Sequence, residues 1–134
     1  MRPSLAIAGA SAALLVGLIA AAPATADDAS GHWDVAGHAG GKDFTLKCTF
    51  AQAGQALSGV CVDGPTGNAQ VKGGRSHALT KGSAVGSKIA FTYKTSYGII
   101  PLTVDYVGAR QGDHMSGQIT SPAAGTFTAT RAAP

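Results

Sequence analysis

A chain of 134 residues with 13% charged side chains and a net charge of +3 is long enough for one domain with a modest core. So small a positive balance, with no run of Lys or Arg, excludes a phosphate-tracking nucleic-acid surface and a polybasic membrane patch. All 7 acidic residues are Asp, which excludes Glu-based acid–base schemes and capping-box helix starts.

The first element is a leader. Arg2 gives a positive start, residues 5–22 are an unbroken run of Leu, Ile, Val, Ala, Gly and Ser, and Ala24-Thr25-Ala26 supplies the small-x-small pattern of a signal-peptidase site. Residues 1–26 therefore read as a cleaved secretory signal and 27–134 as a single domain, periplasmic or extracellular. The competing reading is a membrane anchor, since the run is near the lower length limit for spanning. Its alanine-rich composition and the cleavage site argue against it. With no Cys near the site there is no lipid attachment point, and no membrane anchor is expected after processing.

Beyond Ala26 no segment sustains helical spacing. Glycines recur every several residues, with Thr, Val, Phe and Tyr alternating between them. The pattern predicts eight strands at 31–39, 43–51, 56–63, 75–80, 87–94, 99–108, 113–120 and 125–131. On the first, Trp33 and Val35 oppose His32, Asp34 and His38. On the second, Phe44, Leu46, Cys48 and Phe50 oppose Thr45, Lys47 and Thr49. Later strands repeat the pattern: Ile89, Phe91 and Tyr93; Ile100, Leu102, Val104 and Tyr106; Met115, Gly117 and Ile119; Phe127, Ala129 and Arg131. One apolar face per strand means one enclosed core with a solvated outside. The weak repeat of Leu57-Ser58-Gly59 and Met115-Ser116-Gly117 puts a glycine inside a strand, where a barrel needs a bend or space.

The expected fold is all-β, an eight-stranded antiparallel up-and-down barrel carrying one hairpin disulfide. Short sequential turns favour it over the alternative, a small Greek-key sandwich. A closed sheet brings its first and last strands together, so Arg131 is expected over the face of Trp33.

Cys48 and Cys61 are the only cysteines. In a hairpin centred on the turn at 51–55 they face each other, within the range a disulfide spans. Export supplies the oxidising compartment. Redox pairs of the common kind sit two residues apart at a helix start, unlike this spacing.

Catalytic signatures are missing. Gly82-Ser83-Ala84-Val85-Gly86 has the glycines of a nucleophile elbow but its serine one position early. No phosphate-binding or dinucleotide fingerprint occurs. His32, Asp34 and His38 could ligate a metal, but they are strung along an outward face and diverge. Asp113-His114 reads as a turn residue and a surface histidine. Neither an enzyme, a metal nor a cofactor is expected.

Gly31-x-Trp33 on the first strand and Arg131 on the last resemble the signature of the calycin superfamily: lipocalins, fatty-acid-binding proteins and avidins. The resemblance implies that Trp33 and Arg131 close the bottom of the barrel. Val104-Asp105-Tyr106 also resembles the Thr-Asp-Tyr motif of lipocalins, which implies a place at that closed end. The chain is shorter than a lipocalin, lacks the helix after the last strand, and lacks the tryptophans with which avidin-like proteins grip biotin. A looser resemblance is to small disulfide-bearing periplasmic barrels that inhibit proteases or lysozyme.

Turn lengths independently define two ends. The turns at 51–55, 81–86 and 109–112 gather with Trp33 at one end. Those at 39–42, 64–74, 95–98 and 121–124 gather at the other, which includes the longest loop and is taken as the mouth.

Two functions follow. The first is a binder of a small, partly apolar ligand, with Phe44, Phe91, Tyr93, Leu102 and Tyr106 lining a cavity below the mouth and Asp63, Arg75 and His77 as polar anchors. The second is a protein-binding module, such as an inhibitor of a secreted hydrolase, using the mouth loops. In Tyr97-Gly98-Ile99-Ile100-Pro101, Tyr97 sits on a tip and Ile99 and Pro101 face away from the core. Against the first stands the narrow interior of an eight-stranded barrel, which inward side chains can fill.

Overall fold

The computed structural model describes residues 28–66 and 73–133. The leader and residues 67–72 of the longest mouth loop lie outside the described residues. The elements are β1 (Gly31–Ala39), β2 (Lys42–Ala53), β3 (Ala56–Asp63), β4 (Ser76–Val85), β5 (Lys88–Tyr97), β6 (Ile100–Gln111), β7 (His114–Ser121) and β8 (Gly125–Arg131). Each is antiparallel to its chain neighbours, and β8 pairs back onto β1, closing the barrel. Alternation drives the closure. Along β1 the side chains of Trp33 and Val35 are buried and those between them exposed, and β2 repeats this with Leu46, Cys48 and Phe50. A strand with one apolar face must find an inside, and a barrel gives every strand an inside without leaving an edge.

The ends of the barrel sequence meet as expected. Trp33 is the register partner of Arg131, and the guanidinium carbon stands 4.5 Å from the indole centroid. The indole N–H donates to the Ala29 carbonyl at 2.9 Å. Arg131 donates to Asp113 Oδ1 at 2.7 Å and to the Asp28 carbonyl at 2.9 Å, and also to the Ser30 carbonyl. The segment before β1 is thereby tied across the base. Asp113 has a role beyond a turn residue: it anchors the cation that covers the indole.

Cys48 and Cys61 are register partners joined in a disulfide, both buried inside the barrel. The strand glycines permit close backbone approach. A Cβ on Gly59 would collide with the Thr49 carbonyl, and one on Gly117 with the Val107 carbonyl and Gly108 Cα. These are the two glycines of the Leu/Met-Ser-Gly repeat.

Two expectations are corrected. The fourth strand does not end at 80 with a turn over 81–86; β4 continues to Val85, and its turn to β5 is Gly86 and Ser87. The register shifts between Leu79 and Lys81, so alternation breaks there and the strand reads as if it stopped. Val104-Asp105-Tyr106 is not at the closed end. It lies in the middle of β6, opposite Tyr93, Thr92 and Phe91, because β6 runs on to Gln111 before it turns. Asp105 faces outward and accepts a hydrogen bond from Thr92 Oγ1 at 2.6 Å.

Candidate functional site: a cavity at the open end of the barrel

The lower barrel is filled and the upper barrel is not. Tyr106 stacks on Phe91 at 4.5 Å between ring centroids. Phe50 lies 5.1 Å from Phe91, tilted to it, and Phe127 and Tyr106 meet edge to face at 5.3 Å. This aromatic plug, with Trp33 and Met115 also buried, occupies the interior down to the base. Above it opens a cavity of about 840 Å³.

All four mouth connections reach it. Phe44 on β2, Leu102 and Val104 on β6 and Ile119 on β7 form apolar wall; Tyr93 and Tyr106 form floor. Asp63, Arg75 and Tyr97 stand higher on the wall and rim. The polar side is a connected network. His77 Nε2–H donates to Asp63 Oδ2 at 2.9 Å, and Arg75 Nε lies 3.4 Å from the same oxygen. The terminal nitrogens of Arg75 donate to Ser96 Oγ at 3.0 Å, Thr95 Oγ1 at 3.2 Å and the Ser96 carbonyl at 3.1 Å. Arg75 thus straps the start of β4 to the end of β5, and Asp63 balances its charge. Arg75 Nε, although within ion-pair range of Asp63, is buried without a hydrogen bond.

The floor holds a second polar pair. The Tyr93 and Tyr106 hydroxyls lie 2.7 Å apart. Burial pushes the Tyr93 phenol up to about 12, against the weaker lowering effect of its bond to Tyr106. Burial also pushes Tyr106 upward, further than Tyr93, with Tyr93 beside it adding to the effect. Both groups ionise more readily once the chain is unfolded, so stability is unaffected below pH 10 and falls as pH rises from there toward 12. Denaturation midpoints measured from pH 8 to 12 are expected to drop above pH 10 in the native chain. The Tyr93→Phe/Tyr106→Phe variant should drop less. Equal losses in both would show that the pair is not the source.

His77 and Phe91, expected among the ligand contacts, do not line the cavity. Each sits two residues deeper along the chain than a lining residue, His77 below Arg75 just before β4 and Phe91 below Tyr93 on β5, a descent of about 6–7 Å. His77 is packed face to face on Tyr93 at 5.0 Å, and Phe91 is stacked on its register partner Tyr106 at 4.5 Å. His77 supports the wall and Phe91 belongs to the plug. Rim residues outside the sequence expectation also border the cavity: Lys42, Asp43 and Thr45 beside the β1–β2 turn, Pro65 and Thr66, Thr95 and Ser96, Pro122 and Ala123. Their signal was available in the shared end of their turns, but at a rim both parities of a strand meet the opening.

A second concavity of about 550 Å³ lies against β1, β2 and β8 and is bordered by Gly64 and Pro65. Its outward residues include Ala36, Thr45, Thr128 and Thr130, with Asp34 held by Lys47 at 2.9 Å. On the same face His32 Nδ1 meets Thr49 Oγ1 at 3.1 Å and His38 meets Asp43 at 2.6 Å. The three metal candidates of β1 thus have separate partners.

An eight-stranded meander with a Trp–Arg closed base and an open mouth is now complete. The closed barrel and the Trp33–Arg131 base are the arrangement that the resemblance to calycins implies. No protein-family model matches the chain, and no curated protein matches it either. Among solved structures, the crystal structure of a single-site mutant of the fluorescent protein UnaG is similar at 15% identity and a TM-score of 0.47, covering 79% of this chain and 97% of that one.

Proposed function

We propose that this chain is an exported binding protein that holds one small, partly apolar molecule in the mouth of its barrel, without catalysis. The observation that carries the reading is the cavity of about 840 Å³ above a filled aromatic plug. Ligand sites are concave, mostly apolar and furnished with a few convergent polar groups, in a size range of about 300–1,000 Å³. Phe44, Leu102, Val104 and Ile119 supply the apolar wall, and Asp63, Arg75 and the tyrosine pair supply the polar groups. Export rests on the leader pattern, and a buried disulfide accords with an oxidising compartment.

Native mass spectrometry of the protein purified from its own source tests this. The expected spectrum contains a chain whose mass corresponds to cleavage after Ala26, with a population heavier by one small organic molecule. Leu102→Trp, which fills the opening, should lose that added mass. A chain found only bare, native and variant alike, would overturn the binding role; an intact leader would overturn export.

A second reading has its own observation. At the tip of the β5–β6 hairpin Ile99 is 98% exposed and Ile100 56% exposed, beside the rim residue Tyr97. Apolar side chains held in solvent beside a binding site favour contact with a protein partner through the rim. A second protein chain in the same native spectrum, lost in Ile99→Ser, would support it.

A further inference from the structure

We infer that the ligand presents an uncharged hydrogen-bond acceptor, a carbonyl or ether oxygen, to the hydroxyl pair of Tyr93 and Tyr106 on the cavity floor. The inference rests on the binding role proposed above and names the chemistry of what is bound.

Two phenols hold one more hydroxyl proton than their mutual hydrogen bond uses. Each phenol carries one hydroxyl proton, and a bond between two phenols consumes one of the two. The Tyr93–Tyr106 contact at 2.7 Å is that bond. Whichever ring donates, the other retains an O–H with no acceptor in the pair. Both side chains are 3% exposed or less, yet both reach the cavity surface. At the floor of an open cavity that donor is met by water or by a guest, and a guest that displaces the water without supplying an acceptor leaves it unmatched at a cost. The space directly available to it is the cavity. Burial holds both phenols in their protonated form well above neutral pH, so the donor persists over the ordinary range.

The charge around the cavity decides against an anion. Arg75 would be the natural partner of a carboxylate, but Asp63 neutralises it, and Ser96 and Thr95 engage its terminal nitrogens. Lys42 is the other cation of the cavity, and it lies at the β1–β2 turn, on the rim rather than beside the tyrosines. An anionic group at the floor would meet a spare phenolic proton but also the Asp63 carboxylate, while Arg75 is already engaged and Lys42 stands away from the floor, at the rim. A neutral acceptor gains the proton without that repulsion.

Three probes on one frame separate the possibilities: 2-ethylnaphthalene, 2-acetylnaphthalene and 2-naphthoate, with affinities measured by equilibrium dialysis at pH 7. In the native chain the ketone is expected to bind at least as tightly as the hydrocarbon, despite its better solvation by water, and tighter than the carboxylate. Either single change, Tyr93→Phe or Tyr106→Phe, leaves one hydroxyl whose proton is free for the ligand, so the ketone preference should persist. The double change removes both hydroxyls, and the ketone-to-hydrocarbon affinity ratio should fall about tenfold, the equivalent of one well-made hydrogen bond. Hydrocarbon affinity in the double variant reports directly that the cavity is still folded. An unchanged ratio in the double variant overturns the inference while leaving the binding role standing. Tighter binding of 2-naphthoate than of the ketone overturns it also. Failure of all three probes to bind overturns the inference and the binding role together.

Discussion

Trp33→Ala is expected to lower the stability of this protein by about 3–5 kcal/mol, the usual cost of deleting a buried large aromatic side chain. For a domain of this size that is a fall in melting temperature on the order of 15–30 °C. The site is unforgiving because several partners depend on the indole. It is 1% exposed, it bears the cation–π contact with Arg131, and its N–H ties the segment before β1 to the base through Ala29. Arg131→Met keeps the aliphatic stem and loses the cation, so its cost should be smaller, about 1–2 kcal/mol. Guanidinium denaturation followed by far-UV circular dichroism compares the two. A Trp33→Ala loss no greater than that of Arg131→Met would mean that the base does not hold the barrel shut.

Removing the disulfide is the second large effect. The bridge closes a loop with a sequence separation of 13, and chain entropy assigns such a loop about 3 kcal/mol. Cys48→Ala/Cys61→Ala should also leave a void inside the barrel, because both sulfurs are buried in the core. The denaturation midpoint should fall, and the slope with denaturant should rise, because the unfolded chain loses a cross-link and exposes more surface. A midpoint unchanged by the double substitution would show that the β2–β3 hairpin is held by its strand pairing alone.

Both effects attach to features legible in the sequence. Alternation along 31–39 and 43–51 named the inward residues one by one, because a strand's side chains have no other period available. The cysteine register followed from the centre of one hairpin. Closure followed from a chain whose every strand has one apolar face. The failures are equally physical. The β4 bulge hid half a strand, since an inserted residue shifts parity and erases the alternation on which the reading relied. His77 and Phe91 have the inward parity of ligand contacts but sit one inward step too deep, a height that depends on how strands are staggered around the barrel. Asp113 looks like a turn residue in the sequence because its partner, Arg131, is 18 residues away.

The sequence by itself determined the strand count, the faces, the bridge and the meeting of the ends, all of which depend on local periodicity and on pairings between chain neighbours or across the one closing seam. Only the tertiary structure decided that the barrel is filled to half its height and open above. That outcome depends on where along the axis each inward side chain falls. Phe50, Phe91, Tyr106 and Phe127 come from four different strands and converge at one level. Parity says which way a side chain points; stagger sets its height, and so whether space remains for a guest.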